Sequence, residues 1–185
     1  MTDRQRADAR RNHERILAVA EQEVAEHGAN ASLEQIARVA GVGSATVRRH
    51  FPTRQALLQA VLWHRIEVLC ERARELTASD DGGKALLAWL ADLVTYCVGA
   101  KGLATALAYD SDPTGPNSCA SAIEEAAEPL LRKAVEDGAV ARDITVSELV
   151  GLIVGIAMVT EHHGEPEKAA GRLFAVAVAG ISPVR

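Results

Sequence analysis

The chain has 185 residues, of which 48% are hydrophobic and 24% are charged, so it can bury a sizeable core and wholesale disorder is excluded. Its formal charge of −5 at pH 7, taken over the whole chain, argues mildly against a nucleic-acid partner. Three cysteines without a CxxC pair predict neither a disulfide framework nor a structural zinc site, and we expect buried thiols in a reducing cytosol.

Neither a targeting segment nor a membrane span is predicted. The first residues are charged and polar, unlike a signal peptide, and the longest apolar run covers only residues 149–160. Because a membrane span needs about 20 apolar residues, we expect a cytoplasmic protein.

The pattern of apolar residues predicts an all-α fold without strands. Residues 1–13 are polar and Arg-rich with no apolar period, and we expect a flexible arm there. Apolar spacing and capping signals then predict helices over 14–27, 32–40, 44–51, 53–76, 84–100, 103–109, 119–137, 145–162 and 166–181. Pro129 predicts a kink or break in its helix, and residues 110–118 are the clearest loop.

Hydroxyl residues mark the starts of several of these helices. Ser44 and Thr53 can cap the third and fourth helices. Two further starts have the spacing of a capping box, in which a Glu or Gln lies three residues after the cap: Ser32 with Gln35, and Thr145 with Glu148.

Residues 32–51 carry the strongest signal, because two short helices joined by a tight glycine turn form a helix-turn-helix. Ala37 is small where the helices must cross closely, and Gly41 suits a turn with positive φ. We expect Val47 to pack against the first helix and Phe51 to anchor the second. The positions left facing outward are Ser44, Ala45, Thr46, Arg48, Arg49 and His50.

The distribution of charge along the chain supports DNA binding, because the basic residues are concentrated in the first part. Residues 35–66 contain five arginines and no acidic residue. Residues 1–77 carry 12 basic and 10 acidic side chains, a net charge of +2, whereas the remainder carries 8 and 15, a net charge of −7. The basic surface is local, as phosphate contact requires. The alternative is a helical hairpin with a solvated basic face, but arginines exposed on a short helix have little structural purpose.

The stretch 13–61 resembles the TetR family of bacterial regulators. The resemblance is carried by His27–Gly28 at a helix end and by the motifs SLEQIARVAGVGSATV and HFPTRQALL. The rest of the chain is similar only in architecture. The resemblance implies a homodimer on double-stranded operator DNA, with a three-helix DNA-binding domain at 1–52 and a larger helical ligand-binding and dimerisation domain at 53–185.

The resemblance also implies which residues contact DNA. The recognition helix corresponds to residues 44–50, with Ser44, Ala45, Thr46 and Arg49 facing the groove or phosphate and His50 facing phosphate. Ser32, Thr53 and Arg54 are further candidates, because helix starts attract phosphate. Arg48 stands where the family usually has Tyr, and it can contact phosphate or reach a guanine with two hydrogen bonds.

A ligand cavity is expected among the later helices. Its candidate lining residues, for each of which ordinary core is the more common role, are Trp89, Tyr96, Cys97, Leu103, Met158 and His162. Few charges fall on the apolar faces, so we expect a small apolar or aromatic effector. The neighbouring residues His162 and His163 point about 100° apart on a helix, and no metal site is predicted.

Small residues in the last two helices predict a subunit contact. Gly151 and Gly155 have GxxxG spacing, and Ala170 and Ala177 belong to a small-residue stripe in the last helix. They favour a four-helix interface built from two helices of each protomer, with a buried core helix as the alternative.

The sequence therefore predicts a transcriptional repressor that an effector releases from its operator. Neither a catalytic motif nor a cofactor signature stands out, so an enzyme is not expected. The long helix at 53–76 is the expected lever between the two halves. The alternatives are a ligand-independent DNA-binding regulator and a thiol-based redox-responsive regulator.

Overall fold

The computed structural model describes residues 3–99 and 119–181, and within them it contains α-helices and no strand, which confirms the all-α prediction. The helices are α1 (Asp3–His27), α2 (Leu33–Val39), α3 (Ser44–His50), α4 (Arg54–Thr77), α5 (Gly82–Gly99), α6 (Cys119–Glu136), α7 (Val146–Thr160) and α8 (Pro166–Ile181). A 3₁₀ turn, Gly28–Asn30, follows α1. The predicted helix at 103–109 and loop at 110–118 lie outside the described residues.

Helix α1 begins much earlier than predicted, and the described part of the expected arm, residues 3–13, is helical. Polar side chains pair along this helix, as where Arg10 Nε lies 2.9 Å from Glu14 Oε1. Arginine, alanine and glutamate are good helix formers, and each such pair adds about 0.2–0.5 kcal/mol. A helix can therefore form here without an apolar period, which is why the prediction of a flexible arm was wrong.

The chain up to His64 forms one compact unit. Its core draws side chains from α1, α2, α3 and the first half of α4: Ile16, Leu17, Ala20, Val24, Ala31, Ile36, Ala37, Ala40, Val47, Phe51, Leu57 and Val61. Leu57 and Val61 belong to this core, so the division by packing falls inside α4, later than the domain boundary predicted after residue 52. The functional boundary stays a prediction.

The second unit begins at Arg65 and is centred on α5. Helix α5 packs against α6, α7 and α8, and α7 also packs against α6 and α8. The buried Trp89 indole donates from Nε1 to the carbonyl of Leu69 on α4, at 3.0 Å. This bond satisfies the polar atom of the largest side chain in the core.

Two sequence signals in this unit have different outcomes. The capping box at the start of α7 is confirmed, since Thr145 Oγ1 accepts from Glu148 N at 3.2 Å and Glu148 Oε2 accepts from Thr145 N at 2.8 Å. Helix α6 runs without a break through Pro129, so the prediction of a break there was wrong.

Replacing Gly82 with Ala is expected to lower the melting temperature. A Cβ at this position would lie 2.8 Å from Asp137 Oδ2 and 2.9 Å from the backbone N of Ala134, so α5 and α6 would have to separate. Such overpacking costs about 1–3 kcal/mol. Thermal unfolding followed by circular dichroism measures the loss. Gly99→Ala, at the other end of α5, is the control because its Cβ meets nothing within 4 Å; equal melting temperatures for the two variants would contradict the packing argument.

Candidate nucleic-acid interface

Helix α2 begins at an N-cap that links it to α1. Ser32 Oγ accepts from Gln35 N at 3.2 Å, as predicted. In the predicted capping box the Gln35 side chain would accept a hydrogen bond from Ser32 N. Instead, Ser32 N donates to Glu23 Oε1 at 3.2 Å, and the Gln35 side chain accepts from Arg38. The buried carboxylate of Glu23 thereby acquires a donor, and the start of α2 is fixed to α1.

The turn between α2 and α3 has the predicted geometry. Gly41 has φ +65°, a conformation that is cheap only for glycine. Val42 N donates to the carbonyl of Ala37 at 3.0 Å, closing the end of α2. Ile36, Ala37 and Val47 are all buried, as the predicted packing of the two helices requires.

The cap of α3 was predicted wrongly. The N-cap is Gly43, which has no side chain, and Ser44 is the first helical residue. The carbonyl of Gly43 accepts from Thr46 N at 2.8 Å and thus begins the helix. Ser44 is exposed, and its hydroxyl is not used for capping.

The nine predicted DNA-contacting residues all lie in the first unit, at the start of α2, along α3 and at the start of α4. Ser44, Ala45, Arg48, Arg49, Thr53 and Arg54 are exposed, and Ser32, Thr46 and His50 are half-buried. Thr53 also caps α4 as predicted, because its Oγ1 accepts from Ala56 N at 3.0 Å.

Arg48 is paired, which the sequence did not predict. Its Nη2 donates to Glu34 Oε1 at 2.6 Å, and both side chains are exposed. Hydrogen bonding from its own backbone, followed by the bond from Arg48, holds the pKa of the Glu34 carboxyl below its usual value. The acid-free stretch considered above begins immediately after Glu34. The helix-turn-helix brings Glu34, in the first turn of α2, beside Arg48 in the second turn of α3. The two residues are 14 positions apart, so the spacing along neither helix indicated this pair.

His13 is a second residue that sequence reasoning missed. Its ring on α1 lies 5.3 Å from that of His50 and 5.4 Å from that of Phe51, measured between centroids. Burial, followed by the charges of His13 and Arg49, lowers the pKa of His50. A neutral His50 imidazole is therefore favoured in the free protein at neutral pH.

The free energy of unfolding is expected to rise with pH in the window below about 6.5 because of His50. Since the folded-state pKa lies below the unfolded value, the unfolded chain binds more protons in that window, and stability is lost as the pH falls. Urea unfolding at several pH values measures the slope. His50→Gln should flatten it, whereas the exposed residue His162 provides a control in His162→Gln; parallel curves for wild type and His50→Gln would contradict the assignment.

The predicted effector-lining residues are dispersed in the second unit. Trp89 and Cys97 are buried on α5, and Tyr96 is half-buried with the Arg65 guanidinium 5.5 Å from its ring centroid. Met158 and His162 are exposed on the protomer. These two are therefore removed from the expected lining, and Leu103 lies outside the described residues.

The three thiols are buried. Burial raises the pKa of Cys97 to about 12, and burial is also the largest cause that raises the pKa of Cys70. Because the thiolate is the reactive form, these two side chains are poor nucleophiles at neutral pH.

Helices α7 and α8 expose apolar and small side chains on the protomer. A Cβ at Gly151 or at Gly155 would meet no atom within 4 Å. Large hydrophobic side chains are exposed on the same two helices, at Leu152, Met158, Val159, Leu173 and Val176. Ala177 is half-buried, whereas Ala170 is fully buried inside the protomer. We therefore remove Ala170 from the predicted interface residues.

Comparison with known proteins matches both units to one family. Residues 16–61 match the model of bacterial regulatory proteins of the tetR family. Residues 81–183 match the model of the C-terminal domain of SbtR-like transcriptional regulators. The chain belongs to the TetR family.

Solved structures of TetR-family regulators extend the similarity over nearly the whole chain. A TetR transcriptional regulator from Streptomyces coelicolor is 31% identical with a TM-score of 0.73, over 94% of this chain and 99% of that one. A TetR transcription regulatory protein from Mycobacterium vanbaalenii is 33% identical with a TM-score of 0.71, over 96% and 99%. FadR from Bacillus subtilis, solved with stearoyl-CoA, shares the fold at 17% identity and a TM-score of 0.56, over 91% and 98%. Curated protein sequences give no significant match.

In this TetR-family regulator the matched N-terminal segment is a DNA-binding helix-turn-helix domain, and it contains all nine candidate DNA-contacting residues. Among the described helices, none is long and apolar enough to cross a membrane. In the same part of the chain, no three His, Cys, Asp or Glu residues are grouped so that they could hold a metal ion.

Proposed function

We propose that this TetR-family regulator represses transcription by binding double-stranded operator DNA as a homodimer in the cytoplasm, and that a small effector releases it. The observation that carries the proposal is the exposed basic surface of α3, where Arg48 and Arg49 lie on a helix fixed by the Gly41 turn. Arginines on such a helix can bind phosphates and guanine edges in the major groove.

The homodimer is supported by the exposed face of α7 and α8. Val159 and Val176 are 62% and 72% exposed on the protomer, and side chains of this kind rarely cluster on a free surface. The open space at Gly151 and Gly155 would let the α7 helices of two protomers approach closely. A two-fold axis through this face gives the predicted four-helix interface.

The effector is proposed to be small and apolar or aromatic. Support comes from Trp89, Tyr96 and Cys97, which α5 directs into or beside the apolar core of the second unit. Helix α4 is continuous from Arg54 to Thr77 and so carries residues of both units. Effector binding would favour a conformer whose recognition helices no longer match successive major grooves, about 34–36 Å apart.

Selection of a binding sequence from random duplexes tests the DNA-binding part of this proposal. We expect a two-fold symmetric operator, with specific binding at least about a thousandfold tighter than binding to random duplex at equal salt. Mass spectrometry of ligand that copurifies, followed by its addition to the operator complex, tests release. Equal affinity for the selected and random duplexes would overturn the proposal.

A ligand-independent regulator remains the second candidate, and it is distinguished by operator binding that no copurified small molecule changes. The thiol-based alternative is disfavoured by the burial of the cysteines and the raised pKa values of Cys70 and Cys97. A redox switch would need an accessible thiol with a lowered pKa.

A further inference from the structure

The Glu34–Arg48 pair places an acidic side chain beside the recognition helix of a protein that binds a polyanion. Glu34 Oε1 accepts from Arg48 Nη2 at 2.6 Å, and the Ser32 hydroxyl lies 3.5 Å from Glu34 Oε2. Glu34 and Arg48 are 64% and 58% exposed, so solvent and DNA can both reach the pair. Neither side chain belongs to the core, to which the same two helices contribute Ile36, Ala37 and Val47.

A carboxylate that accepts a hydrogen bond from Arg48 occupies the position that a DNA phosphate oxygen would otherwise take. Both groups are anionic oxygen acceptors for the same guanidinium. Arg48 therefore cannot contribute a full charge to phosphate binding while it bonds Glu34. In contrast, Arg49 on the same helix is exposed and lies outside this pair, so it can bind phosphate directly.

We propose that Glu34 competes with DNA phosphate for Arg48 and thereby weakens binding to nonspecific DNA. The proposal rests on the DNA-binding function proposed above. On random DNA, Glu34 retains Arg48 and the pair adds no net charge to the contact surface. On the operator, a correctly placed guanine offers two acceptors to Arg48 and displaces the carboxylate.

The magnitudes allow this competition. Nonspecific binding has a dissociation constant of about 10⁻⁴–10⁻⁶ M. Divided over roughly 6–10 phosphate contacts, this corresponds to a gain in affinity of about three- to tenfold per contact. An exposed ion pair is worth up to about fivefold, so Glu34 largely offsets one phosphate contact. A bidentate arginine–guanine contact is worth about five- to 150-fold in affinity, which is enough to break an ion pair worth up to about fivefold.

Salt titrations on random-sequence duplex test the competition. Fluorescence anisotropy would give the affinity and the slope of log K against log[salt] for the full chain and for Glu34→Gln, Arg48→Gln and the double variant. We expect Glu34→Gln to bind random duplex about two- to fivefold more tightly, with a slope steeper by about 0.9, because Arg48 then releases one counterion from phosphate. Operator affinity should rise by at least the same factor, because the guanine contact no longer has to break the pair.

The double variant separates competition from a general charge effect. If Glu34 acts through Arg48, the gain from Glu34→Gln disappears when Arg48→Gln is also present. Glu26→Gln, an exposed acid on α1, removes the same charge without releasing Arg48 and should leave the slope unchanged. A gain that persists in the Arg48→Gln background, or an unchanged slope in Glu34→Gln, overturns the inference while the DNA-binding function stands. A wild-type chain that binds neither the selected nor the random duplex overturns the proposed function itself.

Discussion

Arg49→Ala is expected to weaken operator binding by about three- to tenfold and to flatten its salt dependence by about 0.9 unit of slope, because one phosphate contact is lost. Arg49 is exposed on α3 and lies outside the Glu34–Arg48 pair, so its full charge is available to DNA. Its removal should therefore cost more than removal of Arg48 on random duplex. Anisotropy titrations on the selected operator at two salt concentrations measure both effects.

Arg74→Ala is the matched control for Arg49→Ala. Arg74 is also an exposed arginine in a helix, but it lies in the last turn of α4 in the second unit. Its loss lowers the net charge by the same amount without touching the helix-turn-helix. If both variants lost equal affinity, the effect would be long-range charge, and α3 would lose its assignment as the recognition helix.

The helix-turn-helix could be predicted from sequence because its signals are local. A positive φ needs Gly41, a close crossing needs Ala37, and the inward positions of two short helices follow from the spacing of Ile36 and Val47. Each of these constraints involves only a few neighbouring residues. The structure accordingly agrees with the predicted turn and with the burial of these side chains.

Contacts between distant residues were the part of the site that could not be predicted. Glu34 bonds Arg48 across the turn, Glu23 replaces Gln35 in the predicted capping box, and His13 contacts His50 from α1. None of these contacts has a periodic signature, because each depends on which rotamer reaches a neighbouring helix. The distribution of charge along the chain located the basic surface, but it did not show that Glu34 pairs with Arg48 on that surface.

Helix α7 shows a different limit of sequence reasoning. It is apolar nearly all round, so periodicity does not tell which face points into the protomer. Met158 was expected to line a cavity, yet it lies on the exposed face with Gly151 and Gly155. In α8 the same ambiguity led to the assignment of the buried Ala170 to a subunit contact. Small residues indicate close packing but do not indicate the partner.

Val176→Glu is expected to convert the proposed homodimer to a monomer and to weaken operator binding by more than about a hundredfold. Val176 is 72% exposed on α8 of the protomer, within the apolar face that we propose as the interface. Two-fold symmetry would bring two copies of the new carboxylate into that interface, and a buried unpaired charge costs several kcal/mol. The monomer would then lose the gain of two linked half-site contacts, which is about 10²–10⁴-fold.

Sedimentation velocity gives the oligomeric state, and anisotropy on the selected operator gives the affinity. Val68→Glu is the control, because Val68 is 53% exposed on α4 and lies outside the proposed interface. It should leave both the dimer and operator binding unchanged. A Val176→Glu chain that still sediments as a dimer would show that the face of α7 and α8 is not the subunit contact. A Val176→Glu monomer with wild-type operator affinity would instead show that dimerisation does not provide the linked half-site contacts.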